Sequence, residues 1–128
     1  MSTAGLVPQL PDGYDPNQGI GRETVEQIRR DFARNGLELQ LPVGDDPDFE
    51  LLCDELAEVV DWLLANDQAR FMQLLYRIDI GEQLVRRAMD DSGERTVPQK
   101  LGALIVRRET QKVLIRRHFS SAGSSSSE

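Results

Sequence analysis

The sequence predicts an all-α protein: a small helical bundle of about four main helices plus a short N-terminal helix, with flexible termini. Three observations predict it. Between Arg22 and Phe119, apolar residues recur mostly at the three- and four-residue spacing of a helix face. Only Leu37-Glu38-Leu39-Gln40-Leu41 alternates with period two, and no second strand of comparable quality exists to pair with it. Hydrophobic residues make up 39% of the chain and aromatics only 5%, so the core must be mostly Leu, Ile and Val. At 128 residues there is room for one domain that folds without metal or disulfide help.

Taken in order, residues 1–21 hold Pro8, Pro11 and Pro16 and no apolar periodicity, which predicts a flexible arm. Arg22 to Asn35 reads as the short N-terminal helix. Thr24 and Gln27 have capping-box spacing, Val25, Ile28 and Phe32 share a face, and Asn35-Gly36 supplies a glycine stop. Leu37 to Leu41 is expected to be an extended packing segment, or else an edge that pairs with another chain. Gly44-Asp45-Asp46-Pro47 predicts a helix start, with Asp46 as N-cap and Pro47 at the first helical position. Phe49, Leu52, Cys53, Leu56, Val59, Val60 and Leu63 then form a wide apolar stripe, the spine of the domain. Asn66-Asp67 interrupts that helix, and Asp67 can cap the next one.

The stretch Leu74-Leu75-Tyr76-Arg77-Ile78-Asp79-Ile80-Gly81-Glu82 forms a corner. Before it, Phe71, Leu74, Leu75 and Ile78 share a helix face; after it, Ile80, Leu84, Val85, Ala88 and Met89 do so. Asp79, with Glu82 three residues on, predicts a new helix with Asp79 as its N-cap. Asp90 to Arg95 reads as a loop. Thr96 and Gln99 form a second capping box around Pro98, opening a final helix to about Arg117. The domain is thus expected at 22–119, followed by a disordered Ser-rich tail at 120–128.

The LLYRIDIGE corner and the closing Ile105-Val106-Arg107-Arg108-Glu109-Thr110-Gln111-Lys112-Val113 resemble a group of small, uncharacterised bacterial helical proteins. The likeness covers roughly Phe49 to Phe119, and it implies a fold more than a function. Mitochondrial LYR proteins also carry Leu-Tyr-Arg, but near the start of a first helix that continues through it. Here Leu75-Tyr76-Arg77 falls in a last helical turn, in mid-chain.

Charge narrows the function classes. The net charge is −7, unevenly spread. Asp45 to Asp67 holds nine carboxylates and no Lys or Arg, whereas Arg95 to Phe119 holds seven Lys or Arg and one acid, Glu109. Such polarity predicts helices that attract each other, within one molecule or between copies. The lone Cys53 excludes an internal disulfide and suits a reducing cytoplasm. No apolar run approaches the ~20 residues of a membrane span, and the start lacks the basic region of a signal peptide. A cytoplasmic protein without a membrane partner is expected.

The residues offer little for catalysis. Cys53 lies on an apolar stripe among carboxylates, which suppress a thiolate. His118, the only histidine, sits near the end of the last helix, and zinc ligands are too few. Asp15, Asn17 and Glu26 match three calcium-loop positions, but Gly19 and Ile20 stand where a ligand and a glycine are needed. Gly19-Ile20-Gly21 follows no strand, so it is not a dinucleotide turn. No enzyme, cofactor or metal is therefore expected.

Apolar residues run nearly all round the closing helix, which points to a protein partner or self-association. Arg107, Val113, Leu114, Arg116 and Arg117 form the candidate interaction surface. An alternative is a nucleic-acid-associated regulator, with Arg107, Arg108, Lys112, Arg116 and Arg117 contacting phosphates. Arg108 and Lys112 share the stripe of Leu101, Leu104, Ile105, Ile115 and Phe119, so a polar seam is expected there. Tyr76, Arg77, Asp79, Glu82, Arg108, Glu109 and Lys112 are its candidate members, with Asp79 facing Arg108. The primary expectation is a non-enzymatic interaction, adaptor or assembly module in the bacterial cytoplasm.

Overall fold

A computed structural model describes residues 19–41, 47–90 and 93–126. Among them stand five α-helices and no strand: α1 (Ile20–Ala33), α2 (Phe49–Asn66), α3 (Gln68–Ile78), α4 (Glu82–Met89) and α5 (Val97–Ser126). The all-α bundle read from the sequence is the fold, although the short helix is α4 and not α1. α5 is its axis. α2 and α1 pack along it, α4 covers part of its first half, and α3 ties α2 back to α1.

Local chemistry explains most helix ends. At the start of α5, the Thr96 amide donates to Gln99 Oε1 at 2.8 Å, and the Gln99 amide donates to Thr96 Oγ1 at 3.2 Å. This is the reciprocal capping box read from the sequence. Asp67 Oδ1 accepts from the Arg70 amide at 3.1 Å and caps α3 as expected. α1 closes on Gly36 at φ +76°, with Leu37 N–H donating to Phe32 O and Gly36 N–H to Ala33 O. That pairing needs a left-handed residue, which glycine adopts without cost.

Four boundaries differ from the sequence reading. α1 begins at Ile20, behind Gly19, so Thr24 and Gln27 are interior residues and form no capping box. Ile20 and Gly21, assigned to the arm, are buried in this helix, while 1–18 lie outside the described residues. α2 begins at Phe49 with Asp48 as N-cap, its Oδ1 accepting from the Glu50 amide at 2.9 Å. Pro47 therefore precedes the helix, and Asp46 lies outside the described residues. α5 continues past Arg117 to Ser126, so most of the expected tail is helical. No proline interrupts it, and extending an existing helix is far easier than nucleating one.

The fourth difference is the corner. Asp79 ends α3 and does not start α4: it lies in the left-handed region (φ +70°, ψ +52°), whereas an N-cap needs extended backbone. Its amide donates to Leu75 O at 2.9 Å and the Ile80 amide follows to the same oxygen at 3.2 Å. Gly81, with extended backbone and no side chain to cap with, precedes α4.

The core is one cluster. Ile28 and Phe32 of α1, Leu52, Leu56, Val60 and Leu63 of α2, Phe71, Leu74 and Ile78 of α3, and Leu101 and Ile105 of α5 are fully or almost fully buried. Leu39 and Leu41 join it, with Leu37 packed against it, so 37–41 packs on the core without forming a helix or a strand. Gly102 marks a close contact between two helices. A Cβ there would lie 3.0 Å from the Cys53 carbonyl oxygen and 3.2 Å from the Ala57 amide nitrogen, so α5 and α2 meet backbone to backbone.

Candidate functional site

α1 runs antiparallel to α5 along a polar ladder. Arg117 Nε donates to Glu23 Oε1 at 3.0 Å, and Arg116 Nη1 donates to Gln27 Oε1 at 2.9 Å. Lys112 Nζ reaches Asp31 Oδ2 at 3.0 Å. Thr24 Oγ1 donates to Thr110 Oγ1 at 3.4 Å, beyond the Lys112 rung on α5. Thr24, Gln27 and Asp31 recur at i, i+3 and i+7, so one edge of α1 is polar yet buried. Arg116 and Arg117, expected on an interaction surface, hold α1 in place.

A buried polar cluster on α5 holds two of the expected seam members, Glu109 and Lys112, and adds Asp31 of α1. Lys112 lies between two buried carboxyls, Asp31 at 3.0 Å and Glu109 Oε1 at 2.9 Å. Glu109 has no exposed surface, and neither of its carboxyl oxygens meets a well-aligned hydrogen-bond partner. Burial, then the adjacent Asp31 carboxyl, push Glu109 up to about 8 against the pull of Lys112. Burial also pushes Asp31 up, but the neighbouring Glu109 carboxyl, Lys112 and Gln27 outweigh it and hold Asp31 below the ordinary carboxylate value. At neutral pH the cluster is therefore an ionised Asp31, a protonated Glu109 and a charged Lys112. Its net charge is zero, which is what a buried site tolerates.

Arg108 and Asp79 do pair, at 3.3 Å, but at the surface. Tyr76 is 89% exposed, beside Arg77 in a shallow depression with Met72 and Asn35, and takes no part in the seam. Glu82 is exposed in the first turn of α4. Val113 is fully buried, so it leaves the candidate surface for the core, while Leu114, Ile115 and Phe119 are exposed. The roll of α5 against α1 and α2 decides this exchange. His118 is a surface residue, its ring edge-on to Phe119. Burial, and then Asp54, raise the Cys53 thiol, which leaves it poorly nucleophilic.

The remaining candidate, Arg107, marks a groove between α4 and α5. Two adjoining depressions share Leu84, Leu104 and Arg107. One, of about 290 Å³, adds Ala88, Ala103, Arg87, Arg95 and Lys100. The other, of about 430 Å³, adds Ile80, Gly81, Arg108, Gln111 and Asp79. The floor is apolar and the rim carries five cations against one carboxylate. α4 explains the groove. Its apolar stripe buries only Ala88, and Leu84 stays 47% exposed at the lip. Leu84 was legible only in part: it lies on an apolar stripe, but nothing in the sequence says which stripe is incompletely covered. Asp31 was missed, because it lies on the polar edge of α1 with Thr24 and Gln27.

Among the described residues, no three His, Cys, Asp or Glu side chains are grouped to hold a metal ion. No helix among them is long and apolar enough to cross a membrane. The chain matches no protein-family model, and comparison with curated proteins and with solved structures likewise returns no match.

Proposed function

We propose that this chain is a non-enzymatic protein-interaction module of the bacterial cytoplasm, and that the α4–α5 groove is its docking face. The half-exposed Leu84 above an apolar floor, within a ring of cations, carries the reading. A helix whose stripe is left open to solvent is a common element of interfaces, which combine an apolar centre with a polar rim. Phosphate contacts alone need no such floor, and two of the arginines that the nucleic-acid reading enlisted are engaged with Glu23 and Gln27.

A photoreactive amino acid at Leu84 tests the proposal, with one at the exposed Glu26 of α1 as control. Irradiation in cells is expected to yield a discrete protein adduct from position 84 that Arg107→Glu abolishes. Equal labelling from both positions, or nucleic-acid adducts alone, would overturn it.

A further inference from the structure

We infer that the occupant of the groove is the α2 face of a second copy of this chain, so that copies associate through two unlike surfaces; the inference rests on the docking-face reading above. Leu51, Asp54, Glu55, Glu58, Asp61 and Trp62 recur at i, i+3, i+4, i+7, i+10 and i+11 along α2, which places them on one face. Glu55 is half-buried and the other five are exposed. α2 carries no Lys or Arg at all. Four carboxylates thus form an uninterrupted acidic stripe, with Leu51 47% and Trp62 55% exposed at its two ends. The groove is the complement. Its five cations, of which Arg108 is held by Asp79 and Lys100 donates to the Asp90 carbonyl oxygen, leave a balance opposite to that of the stripe, around an apolar floor that would receive Leu51 or Trp62.

The dimensions agree. Leu51 and Trp62 lie about 16 Å apart along α2 at 1.5 Å per residue, and Lys100 to Arg108 spans about 12 Å of α5. Arg87 on α4 and Arg95, at the end nearest α2, widen the cationic rim beyond that span. Each copy presents both surfaces at once. The α2 stripe borders Thr96, Pro98 and Gln99, while the groove lies against α4. Within one folded chain Arg95 already stands beside Glu50 and Asp54 of α2, so the contact between copies rests on Arg87, Lys100, Arg107 and Arg108. The contact joins unlike surfaces, so it is either exchanged reciprocally between two copies or repeated from copy to copy in a larger ring or a filament. Tryptophan and arginine, the residues most often dominant in interfaces, would meet in it.

Two charge-reversed variants of the full chain test this. One disables the groove (Leu84→Glu with Arg107→Glu), the other the stripe (Glu58→Lys with Asp61→Lys); all four positions are exposed, and circular dichroism melts confirm that each variant folds. In sedimentation, the wild-type average mass is expected to rise about two-fold or more with concentration. It should fall back when salt shortens the screening length to about 3 Å at 1 M. Each variant alone should be monomeric, and an equimolar mixture should give a 1:1 pair and nothing larger, because one intact groove meets one intact stripe. A strictly monomeric wild type, or a mixture that stays monomeric, overturns the inference. If position 84 nevertheless cross-links to a different protein, self-association falls and the docking face stands. If it cross-links to nothing, both fall.

Discussion

Arg108 holds Asp79 at two points: Nε donates to the Asp79 carbonyl oxygen at 3.1 Å, and Nη2 to Oδ2 at 3.3 Å. Asp79 is the one non-glycine residue with positive φ among those described. The arginine thus supports a conformation that an L-residue adopts only at a cost, and it does so at the carbonyl of the residue that ends α3.

That geometry separates the roles Asp79 could play. Asp79→Gly removes the left-handed cost, which is about 1–2 kcal/mol for most L-residues and smaller for Asp, and sacrifices a surface ion pair worth about 0–1 kcal/mol. The expected result is a protein between unchanged and about 1 kcal/mol more stable. Asp79→Ser, a good N-cap residue but a poor left-handed one, should lose about 1 kcal/mol. Urea titrations of the two variants check the pair; a neutral Asp79→Ser would return Asp79 to an N-cap role.

Glu109 gives the fold a pH dependence with a definite sign. Its folded value, about 8, lies above the ordinary 4.5, so the unfolded chain releases this proton first as pH rises. The stabilisation is complete below pH 4.5 and is lost progressively up to about pH 8. Asp31 acts oppositely, but only below its ordinary value of 3.8. Glu109→Gln keeps the shape of the protonated acid. It should flatten the stability profile between pH 5 and 8 and exceed the wild type at pH 9. Denaturation midpoints across that range decide, and parallel profiles would show that Glu109 is not the group responsible.

Lys112 is the only cation at ion-pair distance from both buried carboxyls among the described residues, since Arg34 reaches only Asp31, at 4.0 Å. Lys112→Met should cost about 3 kcal/mol, because it leaves an ionised Asp31 buried beside Glu109. Adding Asp31→Asn should restore part of that loss. A double-mutant cycle measures the recovery, and strictly additive losses would mean that the two residues do not share one site.

Gly102 tests the α2–α5 contact. In an exposed helix Gly→Ala gains up to about 1 kcal/mol. Here the added methyl meets the backbone of Cys53 and Ala57, which cannot rotate away. Gly102→Ala should therefore destabilise by about 1–3 kcal/mol, as overpacking does. Gly81, where a Cβ would meet nothing within 4 Å, is the control. Gly81→Ser should gain a few tenths of a kcal/mol by capping α4. Thermal melts that rank the two the other way would mean that the helix pair is loosely packed at this point.

Whatever depends on neighbours within a turn or so was legible without the fold. The Thr96–Gln99 box, the Asp67 cap, the Gly36 stop and the apolar stripes of α2 and α3 needed no other part of the chain, because their partners lie three to five residues away. The corner failed by the same measure: Asp79 and Glu82 have the spacing of a cap, but a left-handed Asp79 closed by hydrogen bonds to Leu75 and Tyr76 prevailed. Only the tertiary structure decided which face of α5 is inside. Lys112 and Asp31 are 81 residues apart, and their contact, like the burial of Val113 and the exposure of Ile115, follows from how α5 rolls against α1 and α2. The groove is likewise a property of packing. Leu84 lies on a regular apolar stripe, and it reaches solvent because an eight-residue α4 is too short to seat that stripe fully on α5.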